Sequence, residues 1–402
     1  MTLDHKSPVT GVTPEVSIVV PARNEEASLE RCLRSLVEQQ GTSFELLVID
    51  DGSTDRTPEI IERFAGIGEC PYLASNRFLV GVVTLQASAP PDGWTGKANA
   101  VWQAAGKAEG KWLLFTDADT VHEPGSLARA VAEAEQNGAV LLSYSPKQEA
   151  ETLGERALLP LVFSELATRF RPREVRDPDS PVAAANGQYI LIRRDVYFAL
   201  GGHKAVAGEL LEDVALAARV KKAGGKIHFR YGGEQVRTRM YRSWRQLAEG
   251  WTKNLVLLFP DARVLAWRRL SEFTVILLGL LVALTAFTGG QIVVALAAAL
   301  VSIALLISFG FRLRRSHSGV INEALALFGL PAYAWLLLRS ASAHERGEVA
   351  WKGRVYTASE SRGKMGASHS VEPPSADATG HAATVVVISP TQERNGLPDP
   401  KV

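Results

Sequence analysis

Several things are scarce in this sequence, and each scarcity excludes a class. Two cysteines, Cys32 and Cys70, in 402 residues are too few for a disulfide framework and suit a reducing cytosol. Surplus charge is missing as well. Lys and Arg number 44 against 43 Asp and Glu, a net +1, whereas a nucleic-acid binder carries a strong basic excess. With 34 glycines and 22% charged residues, neither a collagen repeat nor a wholly disordered chain fits. No fixed-period repeat is visible. Residues Met1–Glu15 are polar and lack the apolar core of a signal peptide, so they are expected to form a disordered N-terminus.

The most informative absence is local. From Phe273 to Phe311, 39 consecutive residues contain no Asp, Glu, Lys or Arg. A bilayer core of ~30 Å takes ~20 helical residues per crossing. The run therefore predicts two spans, about 271–288 and 291–311, turning at Thr288-Gly289-Gly290-Gln291. Arg263, Arg268 and Arg269 precede the first span, Arg312, Arg314 and Arg315 follow the second, and the turn is uncharged. By the positive-inside tendency, both outer ends and the large N-terminal portion are cytoplasmic, in a bacterial-type cell membrane. A third apolar segment, about 322–340, has only 15 uncharged residues (Ala324–Leu338) and contains Pro331, which is short for a crossing. A re-entrant helix, an interfacial helix and a marginal span all remain open for it. The basic group Arg339, Arg346, Lys352 and Arg354 tilts the following residues toward the cytoplasmic side. Residues 357–402, rich in Ser, Gly, Pro, Thr and Ala, are expected to be a disordered tail.

From Val16 the chain alternates short β-branched runs with amphipathic stretches, which predicts an α/β domain with a mainly parallel sheet. Strands are expected at Val16–Val20, Phe44–Ile49, Val80–Gln86, Lys111–Thr116 and Val140–Tyr144. Helices are expected at Glu26–Gln39, Thr54–Phe64 and Lys97–Ala108. The stretch Glu151–Phe170 reads as a further helix, followed by the charged run Arg169–Asp179. A membrane-facing amphipathic segment and a plain surface helix fit it equally.

In such sheets ligands bind beyond the carboxyl ends of the strands. Three strand ends carry polar residues: Pro21-Ala-Arg-Asn24-Glu25, Asp50-Asp51-Gly-Ser53 and Asp117-Ala-Asp119. Asp50 and Asp51 suit either a turn or a ligand donor such as a base N–H or a ribose hydroxyl. Asp117 and Asp119 point the same way in an extended stretch and suit a hard divalent cation shared with phosphate oxygens, or a helix cap. Lys97 opens a helix after a Pro/Gly-rich loop, where an ammonium and backbone N–H groups can meet phosphates. Glu212 and Asp213 open another helix; they are either dipole complements or catalytic, with Asp213 the candidate general base. Arg239 and Arg242 interleave with Tyr241 and Trp244, as a diphosphate site or a membrane-interface belt would.

In their order and spacing these motifs resemble an inverting family 2 glycosyltransferase, over about Val16–Phe259 and on through the hairpin to Trp351–Tyr356. The segments Thr238–Trp244 and Gly250–Asn254 are most similar to membrane enzymes associated with hopanoid and carotenoid pathways. The resemblance implies a GT-A catalytic domain at 16–260 and a membrane region at 261–356. It also implies a nucleotide-diphospho-sugar donor, expected to be UDP-linked, and a lipid acceptor. Pro21, Asn24 and Glu25 would line the nucleoside pocket, Asp51 would pair with the base, and Asp117 would sit near the ribose. Asp119 would hold Mg2+ or Mn2+, and Asp213 would be the base. The family's Gln/Arg-x-x-Arg-Trp motif is departed from, since Ser243 separates Arg242 from Trp244. Two spans are too few to form a polymer channel, which favours a single transfer to a lipid over a polysaccharide synthase. The remaining alternative is a non-catalytic nucleotide-sugar-binding membrane protein.

Overall fold

A computed structural model describes residues 13–65, 76–351 and 354–356. The expected disordered tail, Cys70 and most of the polar N-terminus lie outside these residues.

Seven strands form the central sheet: β1 (Val16–Ala22), β2 (Phe44–Asp50), β3 (Leu79–Gln86), β4 (Trp112–Phe115), β5 (Leu141–Ser145), β6 (Ile190–Arg193) and β7 (Ile227–Tyr231). Their order is β3-β2-β1-β4-β6-β5-β7. All neighbours are parallel except β6, which runs antiparallel to both β4 and β5. Every residue of β2 is buried, as a strand covered by helices on both faces requires. One apolar core packs α1 (Leu29–Val37) under the sheet; a second packs α2 (Gly96–Ala105) and α4 (Glu212–Lys222) on the opposite face. The helix expected from Glu26 starts only at Leu29, because Asn24–Ser28 form a loop whose amides bond Ser53, Thr57 and Asp55. A small second sheet joins Thr120–His122, Val236–Thr238 and Lys147–Gln148, and it sets Arg239 beside the carboxyl end of β4.

Five further helices form a third layer with its own core. They are α3 (Leu153–Arg169), α5 (Trp244–Leu258), α6 (Ala262–Thr288), α7 (Ile292–Leu313) and α8 (Val320–Arg346). A capping box fixes the start of α3: Thr152 accepts from Glu155 N–H, and Glu155 accepts from Thr152 N–H. Helices α6, α7 and α8 are each long and apolar enough to cross a membrane. The third segment is longer than its 15 uncharged residues suggest, since α8 runs unbroken through Pro331 for 27 residues. Packing from Ala326 to His344 outweighs the ~3 kcal/mol that an interior proline costs. Gly329 brings α8 hard against α3, where any Cβ would lie 2.4 Å from the Ala157 carbonyl oxygen.

At the base of the α6–α7 hairpin four charges are shut away together. Arg269 meets Glu165 of α3 at 2.6 Å and Glu272 at 2.8 Å, while Arg312 of α7 meets Glu272 at 2.8 Å. Two acids and two bases cancel, which is what lets them sit between helices.

Candidate active site

A cleft of about 670 Å3 opens between the carboxyl end of the sheet and the helical layer, within the ~300–1,000 Å3 usual for ligand pockets. The loop after β1 supplies Pro21, Asn24 and Glu25. Asn24 holds a left-handed backbone, φ 52°, and its Oδ1 accepts from Thr54 N–H at 2.8 Å, tying the first two strand ends together. Left-handed geometry at a residue other than glycine costs energy and clusters at ligand-binding sites. Asp51 lines the cleft after β2. Its neighbour Asp50 does not: it is buried beneath the loop and accepts from Ser53 N–H at 3.1 Å, so the turn role holds for that residue.

After β4 the chain presents Asp117 and Asp119 to the cleft. A buried polar knot fixes this loop from below. The Thr120 hydroxyl donates to the Asp117 carbonyl at 2.8 Å, and Thr116, Thr120 and His122 lie within hydrogen-bond reach of one another. Burial pushes the His122 imidazolium down to about 3, so this support is neutral.

Lys97, on the first turn of α2, reaches Asp117 Oδ1 at 2.8 Å and Glu212 Oε1 at 2.9 Å. Burial opposes its charge, but the two carboxylates outweigh burial and hold the ammonium well above its usual range. Burial also works against Glu212, and here Lys97 and Lys253 win, keeping it below the usual carboxylate range. Its neighbour goes the other way. Burial, then the Glu212 charge, push Asp213 up to about 6, against the pull of Lys97 and of hydrogen bonds from Gly187 N–H and Val214 N–H, each at 2.8 Å. Adjacent carboxyls driven apart in this way are the pattern of a fixed anion beside a proton acceptor. Gly187 permits the arrangement, since a Cβ there would sit 3.3 Å from Lys97 Nζ and 3.4 Å from Asp213 Oδ2.

The Arg/aromatic stretch divides. Arg239 lines the cleft but is held by Glu155 at 3.3 Å, so the capping box of α3 also positions it. Arg242 reaches across to donate to the Ala27 carbonyl at 2.9 Å, bridging to the loop after β1. Trp244 lies outside the cleft lining and stacks on Trp335 of α8, with ring centroids 6.3 Å apart. The far wall is apolar: Phe163, Leu166 and Phe170 from α3, and Trp251 and Leu258 from α5. Asn186, Gly187 and Gln188 also line the cleft and were missed in the sequence; their only signal was an Asn-Gly turn pair.

Among the described residues, no group of three or more His, Cys, Asp or Glu is gathered as a metal cage. Asp117 and Asp119 are two oxygen donors, and one is already paired with Lys97. That set fits a hard cation completed by phosphate oxygens and water, and does not fit a resident ion held by protein alone.

Residues 17–200 match the family model described as glycosyl transferase family 2. The sheet-forming half of the chain is thus similar to family 2 glycosyl transferases. A 4,4'-diaponeurosporenoate glycosyltransferase of Staphylococcus aureus (strain USA300) is 27% identical over 253 residues, 60% of this chain and 60% of that protein. The chain thus spans about 60% of the length of the curated relatives it matches. Among solved structures, a Pyrobaculum calidifontis mannosyltransferase in complex with GDP-Man and Mn2+ is 17% identical, with TM-score 0.47, over 85% of this chain and 89% of that one. S. aureus TarS in complex with UDP-GlcNAc is 16% identical, with TM-score 0.38, over 83% of this chain and 92% of that one.

Proposed function

We propose that the chain transfers a sugar, with inversion, from a nucleotide-diphospho-sugar, of which a UDP-sugar is the expected form, to a lipid of isoprenoid type at the cytoplasmic face of the membrane. One observation carries this reading: Asp213, with its raised pKa, stands in a cleft that is acidic at the strand ends and apolar along α3 and α5. The acidic side suits nucleoside and diphosphate, the apolar side suits a hydrocarbon acceptor, and Asp213 lies between them. The S. aureus relative, named as a 4,4'-diaponeurosporenoate glycosyltransferase, supports an acceptor of lipid type.

For an acceptor hydroxyl, the oxygen attacks the anomeric carbon as the bond from that carbon to the diphosphate oxygen breaks, and the hydroxyl proton passes to Asp213. A carboxyl with a pKa of about 6 is ionised at neutral pH and still basic enough to take that proton. Glu212 and Lys97 hold their charges fixed beside it, so little reorganisation accompanies the step. Pro21, Asn24, Glu25 and Asp51 form the nucleoside side, and Arg242 closes over it. Asp119, with Asp117, would hold Mg2+ or Mn2+, which when bound neutralises charge developing on the departing nucleoside diphosphate. The arginines flanking the α6–α7 hairpin support the cytoplasmic orientation.

Two variants and two acceptors test the reading. Asp213→Asn should lose turnover yet keep nucleotide binding, and Asp119→Asn should lose metal-dependent nucleotide binding as well. Labelled sugar should pass to isoprenoid lipids in detergent. Equal transfer to a water-soluble acceptor refutes the acceptor class, and turnover retained by Asp213→Asn refutes the base.

A further inference from the structure

Length and composition treat α6, α7 and α8 alike, but their surroundings do not. Protein buries 6% and 17% of the apolar stretches of α6 and α7, against 39% in α8. Along α8 the contacts are with α3 and α5 as well as with α6. Gly329 touches the backbone of α3, and Trp335 stacks on Trp244. Ser340 Oγ donates to the Thr252 carbonyl at 2.7 Å and accepts from Val256 N–H at 3.0 Å, and His344 Nε2 donates to the Lys253 carbonyl at 2.8 Å.

The two ends of α8 decide its course. It begins four residues after Ser316, where α7 has just returned to the base; there Arg315 donates to Thr168 of α3 at 3.0 Å. It ends where Glu345 pairs with Arg263, at 2.6 Å, on the first turn of α6. Arg263 lies nine residues before Glu272, about 14 Å along α6 at 1.5 Å per residue. The link from Ser316 adds at most ~14 Å of reach. Neither distance accounts for a helix of 27 residues, about 40 Å long, standing parallel to the hairpin. The helix must run inclined to it, with its far end well short of the turn of the hairpin. A crossing would put one end beside the Thr288–Gln291 turn.

We propose that α8 does not cross the membrane but lies in the headgroup layer of the bilayer, with Ile321, Phe328, Trp335 and Arg339 turned toward the lipid. These four fall on one exposed stripe of the helix, opposite the buried Ala326, Leu330, Tyr333 and Leu337. Arg339 sits over the Trp335 ring at 5.2 Å, a cation and an indole together at the depth both favour. The lipid is the occupant because the stripe adjoins a hairpin whose own apolar faces are exposed along its length. Among the described residues, the crossings are then α6 and α7, and the residues after α8 return to the side of the catalytic half. The inference stands apart from the choice of sugar or acceptor.

Single cysteines at three exposed positions test it in the full chain: Glu38→Cys after α1, Gln291→Cys in the turn and Glu348→Cys after α8. Each is treated with a membrane-impermeant maleimide in inside-out and right-side-out vesicles, with the parent chain as background. Glu38→Cys and Glu348→Cys should lose labelling together in one vesicle type, and Gln291→Cys in the other. Labelling of Glu348→Cys from the same face as Gln291→Cys, or of Gln291→Cys from the same face as Glu38→Cys, overturns the proposal. Depth is read separately with a bimane on Phe328→Cys, which nitroxide lipids labelled near the headgroup should quench more strongly than those labelled deep in the acyl chain. The reverse order overturns it as well.

Discussion

Replacing Lys97 with alanine makes the electrostatics of the site measurable. The position a Gly187 Cβ would take lies 3.3 Å from Lys97 Nζ and 3.4 Å from Asp213 Oδ2. The two charges are therefore no more than ~7 Å apart, where a unit pair at an effective dielectric of ~20 is worth ~2 kcal/mol. Lys97 keeps 39% of its side chain in contact with solvent, which screens part of that. Loss of the ammonium should then raise the Asp213 pKa by ~1 unit, and by less than 2. Asp213 acts as base only when ionised, so the acid limb of kcat falls below its pKa, about 6 in the parent. In Lys97→Ala that limb should move to ~7, with turnover at pH 7 reduced by a factor of ~2 to 5 and largely restored at pH 9. The assay is kcat at saturating donor from pH 5 to 9, which sets aside any change in donor affinity, and Lys97→Arg should return the limb toward its parent position. An acid limb that stays near 6 without Lys97 would show that Asp213 is not the titrating base or that the lysine does not govern it.

Other outcomes follow from the same contacts. The raised pKa of Asp213 means that the folded state holds its proton more tightly than the unfolded chain, so its contribution to stability is present in acid and lost as pH rises through about 6. Asp213→Asn should accordingly be inactive but more heat-stable than the parent at pH 7, by ~2–4 °C per kcal/mol recovered, with the gain vanishing below pH 4. Gly187→Val should cut turnover at pH 7 at least as far as Lys97→Ala does and lower the melting midpoint as well, because the side chain would press between Lys97 and Asp213. Glu272→Gln leaves Arg269 and Arg312 without a shared counter-charge and should lower the melting midpoint in detergent by an amount equivalent to ~3 kcal/mol. Gly329→Leu should destabilise the chain more than Gly310→Leu, which meets open space.

Much of the sheet was legible because its strands are buried on both faces and read as β-branched runs ending in polar residues. Those endings located Pro21, Asn24, Asp51, Asp117 and Asp119 at one rim. Local pattern reaches no further than the segment that carries it. Asp50 and Asp51 are indistinguishable in sequence, and only the direction of successive side chains at a strand end sends one into the turn and the other into the cleft. Lys97 reads as a phosphate ligand until Glu212, 115 positions later, is seen to claim it. Pro331 signalled a break because its local cost is visible while the packing of α8 on α3 and α5 is not. The apolar wall was hidden for the same reason: Phe163 and Trp251 belong to separate helices, and neither periodicity says which side of a helix will face a cavity.

The helical layer has a consequence for how this enzyme can exist at all. Leu158 and Leu161 of α3 and Leu247 and Leu255 of α5 are covered in the same apolar core as Leu330 and Leu337 of α8. The ceiling of the anchor is thus the floor of the catalytic cleft, and the two are not modules joined by a tether. A fragment cut free after Phe259 would turn that floor outward and should aggregate rather than work in solution. Loss of the apolar helices and loss of the cleft are one event.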